Sequence, residues 1–136
     1  YIVSNKVRLM RIAISVWEGK VSPVLDTASK LLIVEMKNKK ENDRFEVYLI
    51  SPDIVKRCAL IRKLEIDTLI CGAVSHMFSK ILIASGIKII LGISGPVKDI
   101  LDAYLKGSLI QSRFLMPGFK EVNYPSLANP LDKDAD

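Results

Sequence analysis

The residues best suited to chemistry lie in one short segment, CGAVSH, which runs from Cys71 to His76. A thiolate and a neutral imidazole are protein ligands that transition metals prefer, so Cys71 and His76 are candidate metal ligands. His76 is the only histidine, and it falls in the first turn of a predicted helix, where exposed amides favour the neutral ring. The alternatives are that Cys71 is a small buried hydrophobe and that His76 is an ordinary surface residue. Met77, next to His76, is expected to pack in the core.

A second loop, WEGKVSPVLDTA, brings together an indole, a hydroxyl and a carboxylate from Trp17, Ser22 and Asp26. Ser22 and Asp26 are therefore candidate ligand-binding residues. The alternative is that both side chains only bond local backbone amides, as such residues do in turns.

A third loop, GISGPV, precedes another predicted helix and contains Ser94 and Gly95. Free backbone N–H groups at a helix start bind anions, so we expect Ser94 and Gly95 to contact an anionic ligand. The alternative is an ordinary helix start. Gly72, in the first segment, would let a ligand or another backbone approach closely.

Several enzyme classes lack the residues that they need. A two-metal nuclease requires clustered carboxylates, and the first and fourth predicted strands carry none. With one histidine and no GxSxG motif, a hydrolase triad is also unsupported. Cys58 falls on the apolar stripe of a helix, so it is assigned to the core and does not complete a zinc site. The sequence therefore favours binding over catalysis.

Composition indicates one globular domain. The chain has 136 residues, of which 49% are hydrophobic and 26% charged, and 20 basic against 15 acidic residues give a net charge of +5. This charge favours an anionic ligand but is too small and too scattered to indicate nucleic acid. The longest apolar stretch is interrupted, which predicts no membrane span, and two cysteines fit reduced thiols in the cytoplasm.

Hydrophobic periodicity predicts five strands and three helices. The short charged turn between the second and third predicted strands indicates an antiparallel hairpin. A first helix is expected to begin at Ser51-Pro52-Asp53, with Ser51 as its cap and Pro52 at its first position. A second helix is expected to be capped by Ser75. A third is expected to open at Gly95-Pro96 and end at Gly107, with Asp102 and Lys106 paired on its outer face. The predicted strands are Arg11–Trp17, Leu31–Met36, a half-buried run at 45–49, Thr68–Ala73 and Lys88–Ile93.

The element order β-β-β-α-β-α-β-α predicts an α/β fold with a mixed five-stranded sheet of ribonuclease-H-like type. Ligands of such sheets bind beyond the carboxyl ends of parallel strands. We therefore expect three loops to meet there: Trp17–Asp26, Cys71–His76 and Ile93–Val97. Residues 1–9 are expected to be an N-terminal extension, 10–118 a single domain, and 119–136 a C-terminal tail.

An ordered set of motifs, spread over residues 10 to 118, carries a family resemblance. The motifs are MRIAISVW, VSPVLDTA, LLIVE, TLICGAVS, GIKIILGISGPVKDILDAYLKGSL and FLMPG. Together they resemble the dinitrogenase iron–molybdenum cofactor biosynthesis family, of the NifX and NafY type and including the C-terminal part of NifB. Many members follow MPG with cysteine, whereas Phe119 stands here, so that soft ligand is absent.

The resemblance implies a ribonuclease-H-like fold and a non-enzymatic binding or carrier protein. Its cargo would be iron–molybdenum cofactor, its iron–sulfur precursors or a related metal–sulfur cluster, bound transiently. Its partners would be cofactor-assembly proteins, and the chain would be a monomer or a weak homodimer. The alternative is a metal-free module for a small anion or a partner protein, in a member with a role outside nitrogen fixation.

Overall fold

One sheet with three helices forms the fold of this computed structural model, which describes residues 9–107 and 114–116. A short 3-10 turn, Leu25–Thr27, follows the second strand. In chain order, the strands and helices are β1 (Met10–Trp17), β2 (Lys20–Val21), β3 (Lys30–Lys37), β4 (Lys40–Tyr48), α1 (Ile54–Lys63), β5 (Thr68–Ile70), α2 (His76–Ala84), β6 (Lys88–Ile90) and α3 (Val97–Leu105).

The sheet is mixed, with the order β4-β3-β1-β5-β6 and β2 paired to β1. β3 is antiparallel to both β1 and β4, whereas β5 is parallel to both β1 and β6. The predicted antiparallel hairpin of β3 and β4 is confirmed, and its turn places Asn38 and Lys39 at positive φ. Phe45 and Val47 are half-buried between exposed neighbours, as their alternation predicts.

The prediction of five strands is wrong by one. Lys20 and Val21 form β2, which pairs with Trp17 and Val16 of β1 through a tight turn at Glu18 and Gly19. Two residues are too few to show a periodicity, so the pattern that reveals the longer strands could not reveal this one. β2 extends the sheet beside the carboxyl end of β1.

The predicted helices are present, with one change at the first. Asp53 caps α1, because its Oδ1 accepts a hydrogen bond from the N–H of Val55 at 2.9 Å, while Ser51 Oγ accepts from Asp53 N. The predicted capping role of Ser51 is therefore wrong by two positions. Ser75 caps α2 as predicted. None of the helices in the described ranges is long and apolar enough to cross a membrane.

The sheet separates two apolar cores. Ile12, Ile14 and Val16 of β1 face α3, and Ala13, between them, faces the core that α1 and α2 cover. Phe78 and Leu82 anchor α2 in that second core. The helices after β5 and β6 therefore begin at the same edge of the sheet but pack on opposite faces.

Candidate functional site

The three predicted loops meet at the carboxyl edge of β1, β5 and β6, and backbone hydrogen bonds join them. Leu25 N donates to Ala73 O and Ala73 N to Pro23 O, each at 2.8 Å. Gly92 N donates to Gly72 O at 2.9 Å, which joins the loops after β5 and β6. The expected meeting of these loops is confirmed.

Gly72 is the point of closest approach in this edge. A Cβ atom at this position would lie 2.5 Å from the carbonyl oxygen of Pro23 and 2.6 Å from that of Ser22. The sequence predicted that Gly72 allows close approach of either a ligand or another backbone segment, and the structure shows the second. The first loop can only lie against β5 because residue 72 lacks a side chain.

The side chains of Asp26 and Ser75 accept hydrogen bonds from backbone N–H groups at the start of α2. Asp26 Oδ1 accepts a hydrogen bond from Ser75 N at 2.8 Å, and Ser75 Oγ accepts one from Phe78 N at 3.2 Å. Asp26 thus bonds a backbone amide of a distant loop and fixes the first loop to α2. Ser22 is buried, and its hydroxyl makes a long contact of 3.5 Å with Val24 O.

Backbone N–H groups before α3, which were expected to bind an anion, already make hydrogen bonds within the fold. Ser94 N donates to Phe114 O at 2.8 Å, Val97 N donates to Gly19 O at 2.9 Å, and Pro96 has no N–H. The prediction of free N–H groups is therefore wrong at Ser94 and Val97. Gly95 has a φ of +126°, which favours glycine, and its carbonyl accepts from Val21 N.

Cys71 lies inside the core beneath this edge. Its side chain is fully buried, and burial raises the pKa of the Cys71 thiol to about 12. The nearby charge of Asp26 acts in the same direction. Because metals bind the thiolate, this placement favours the alternative in which Cys71 is a packing residue. Cys58 is buried as expected, and desolvation raises its pKa as well.

The raised pKa of Cys71 predicts a loss of stability at high pH. In the unfolded chain the thiol ionises near pH 9, whereas in the folded chain it stays protonated until about pH 12. Between these values the unfolded state binds fewer protons, so the free energy of unfolding falls by up to about 1.4 kcal/mol per pH unit. Urea unfolding from pH 8 to pH 11 should show a shallower fall for Cys71→Ala. Equal slopes in both proteins would contradict the assigned pKa.

The exposed rim of the edge is formed by different residues. His76 is the first residue of α2 and is exposed, and Met77 beside it is 62% exposed. Trp17, at the end of β1, is 52% exposed, and by alternation it lies on the face of the sheet that α2 covers. Lys20 on β2 adds an exposed cation.

Met77 was expected to pack in the core, and its exposure corrects that expectation. The signal was available in the sequence, because Phe78 and Leu82 define the buried stripe and Met77 lies outside it. Within residues 9–107 and 114–116, no group of three or more His, Cys, Asp or Glu side chains is placed to hold a metal ion.

Comparisons with solved structures place this arrangement among known folds. The structure of the protein PH0822 aligns with a TM-score of 0.68 at 16% identity, covering 72% of this chain and 90% of that one. A Methanocaldococcus jannaschii protein, provisionally assigned as a dinitrogenase, aligns at 0.61 and 20% identity, covering 75% and 93%. The apo form of the orange protein from Desulfovibrio gigas aligns at 0.58 and 20% identity, covering 76% and 92%.

No curated protein matches the chain. The sequence model of the family described as dinitrogenase iron-molybdenum cofactor matches residues 8–107, which include all the strands and helices described above. The match spans well over half of the sequence and agrees with the family resemblance of its motifs. The chain therefore belongs to the dinitrogenase iron–molybdenum cofactor family.

Proposed function

We propose that this protein is a non-catalytic carrier that holds an anionic metal–sulfur cluster at the three-loop edge. This is the edge of the sheet where the loops Trp17–Asp26, Cys71–His76 and Ile93–Val97 meet. The cargo would be iron–molybdenum cofactor, one of its iron–sulfur precursors or a related cluster, delivered to or received from cofactor-assembly proteins. Family membership supports this class of cargo. The sheet order supports a ribonuclease-H-like fold, with β2 as an addition to it.

The observation that carries the proposal is the chemistry of the rim. His76 offers an imidazole at the sheet edge, and Met77 offers a thioether beside it. Thioether sulfur and imidazole nitrogen both bind the metals of such clusters. Trp17 supplies an exposed apolar face, and Lys20 supplies a charge opposite to that of the cargo. We assign His76 as the metal ligand.

The buried groups of the edge have a supporting role in this proposal. Asp26 and Ser75 already accept hydrogen bonds from the backbone N–H groups at the start of α2. The N–H groups of Ser94 and Val97 also make hydrogen bonds within the fold. In this proposal the exposed side chains of the rim therefore bind the cargo. Cys71 packs beneath them. A carrier has to release its cargo, and one protein ligand permits this, whereas permanent clusters are usually held by four cysteines.

Anaerobic reconstitution tests the role of His76. The purified protein is incubated with iron, sulfide and molybdate, desalted, and assayed for bound metal, labile sulfide and visible absorption. We expect His76→Ala to lower cluster retention at least about tenfold, because it removes the metal ligand. The free energy of unfolding should change by less than about 0.5 kcal/mol, since the side chain is exposed.

Two variants serve as controls. Lys80→Ala replaces an exposed residue one turn along α2 and should retain the cluster. Cys71→Ser should lower the free energy of unfolding by about 1–3 kcal/mol, because it buries a hydroxyl among apolar groups, and leave retention unchanged in the folded fraction. Loss of the cluster from folded Cys71→Ser, with retention by His76→Ala, would contradict the assignment of the ligand.

The second candidate is a metal-free module that holds a small anion or a partner protein at the same edge. The burial of Cys71 and the exposure of Trp17, Val24 and Met77 favour it, because such a rim also suits a protein contact. Under this function His76 is incidental. Folded wild-type protein that retains no metal or sulfide after reconstitution would favour this candidate over the carrier.

A further inference from the structure

A cavity of about 420 Å³ lies at the opposite end of β1 from the three-loop edge. β1 separates Met10 at the cavity from Trp17 at the edge by seven residue steps, or roughly 23 Å. The volume is within the range of small-molecule sites. The cavity is lined by Met10, Ile12, Met36, Lys37, Asn38, Lys39, Tyr104 and Leu105.

The floor of this cavity is apolar and adaptable. Met10 and Met36 are directly opposed partners of β1 and β3, and Ile12 and Leu105 continue the apolar surface. Met10 is 50% exposed and Leu105 is 46% exposed, so apolar surface faces the opening. Unbranched methionine side chains adjust to ligands of varied shape, which suits a flexible hydrocarbon or an aromatic ring.

The rim of the cavity has one sign of charge. Lys37 is the last residue of β3 and Lys39 lies in the turn before β4, and both are exposed. The positive φ of Asn38 and Lys39 defines the tight turn that brings both lysines to the opening. In the part of the chain that the structure describes, no carboxylate forms an ion pair with either lysine.

A neighbouring cavity shows that this charge is local. It has a volume of about 450 Å³, lies along α3, and shares only Leu105 with the cavity at Met10. Acidic and basic groups are mixed on its rim, where Arg44 is already paired with Glu41. The rim of that cavity carries both signs of charge, whereas the charged residues that line the cavity at Met10 are both lysines.

We propose that the cavity at Met10 binds a small anionic amphiphile. Its apolar body would lie against Met10, Met36 and Tyr104, and its anionic head would lie between Lys37 and Lys39. Apolar burial gives affinity, and the two lysines select the sign of the head group. This site is separate from the three-loop edge and does not depend on the proposed cargo.

Titration calorimetry with decanoate tests the proposal, with decyltrimethylammonium as the probe of opposite charge. We expect saturable binding of decanoate below its micelle concentration and binding of the cationic probe at least about tenfold weaker. The double variant Lys37→Glu/Lys39→Glu should weaken decanoate binding at least about tenfold and reduce the preference for the anion. Met10→Gln should weaken binding of decanoate without reversing that preference.

The matched control is Lys56→Glu/Lys63→Glu, which makes the same change in net charge on exposed positions of α1. It should bind decanoate as the wild type does. Amide chemical shifts of the 10–12, 36–39 and 104–105 segments should change on titration. Equal affinity for the two probes, equal loss in both double variants, or shift changes at Trp17 and His76 instead would overturn the proposal.

Discussion

Replacing Gly72 by alanine should destabilise the protein by about 3 kcal/mol or more and disrupt the three-loop edge. The new Cβ would meet the carbonyl oxygens of Pro23 and Ser22 at 2.5 and 2.6 Å, and backbone atoms cannot move aside as a flexible side chain can. Relief requires the first loop to shift, which breaks the 2.8 Å hydrogen bond from Ala73 N to Pro23 O. Urea unfolding measures the cost.

Gly86→Ala separates the steric effect from the general effect of replacing glycine. Gly86 has a φ of +89° and nothing within 4 Å of an added Cβ, so its replacement should cost only about 1–2 kcal/mol. Gly72→Ala should also retain less cluster than Gly86→Ala, because only the former displaces the edge. Equal destabilisation by both variants would show that the loops do not press on residue 72.

Replacing Arg11 by methionine should cost about 3 kcal/mol, because it leaves Glu35 without its ionic partner. Arg11 donates to Glu35 Oε2 from Nε at 2.9 Å and from Nη2 at 2.7 Å, and its Nη1 donates to Leu64 O. The two side chains are only 28% and 11% exposed. A carboxylate held in this setting without its partner is strongly unfavourable.

A double-mutant cycle tests this interpretation by urea unfolding. Because Arg11→Met/Glu35→Leu removes both charges, it should be more stable than Arg11→Met alone, although it still lacks the bond to Leu64 O. A double variant whose loss equals the sum of the two single losses would mean that the pair contributes no coupling energy. The same cycle at Lys106 and Asp102, an exposed pair on α3, should give about 0.3–0.5 kcal/mol.

The main elements of the fold were predictable because they follow local patterns. Ser75 capped a helix as expected, and the Asp102–Lys106 pair lies at 3.0 Å on the outer face of α3. The parallel pairing of β5 with β6 followed from the alternation of strands and helices, whereas the parallel pairing of β5 with β1 joins strands far apart in the chain. The cap of α1 was misplaced because both Ser51 and Asp53 are good capping residues, and sequence alone does not choose between them.

The candidate site was only partly predictable, because its hydrogen bonds join residues far apart in the chain. Asp26 bonds Ser75 across 49 positions, and Phe114 accepts the amide of Ser94. These partners decide which helix-start amides remain available, and no local motif encodes them. Burial likewise distinguishes Cys71, which is buried, from His76, which is exposed. Because the two residues are only five positions apart in the sequence, they resembled a pair of metal ligands.

The most direct test of the carrier proposal is to locate a bound metal–sulfur anion by solution NMR. Amide spectra of isotope-labelled protein are recorded anaerobically while tetrathiomolybdate, a diamagnetic anion of this class, is added. We expect saturable shift changes centred on Trp17, Lys20, His76 and Met77, and their loss in His76→Ala. Changes confined to the cavity at Met10, or an unchanged response in His76→Ala, would contradict the carrier proposal.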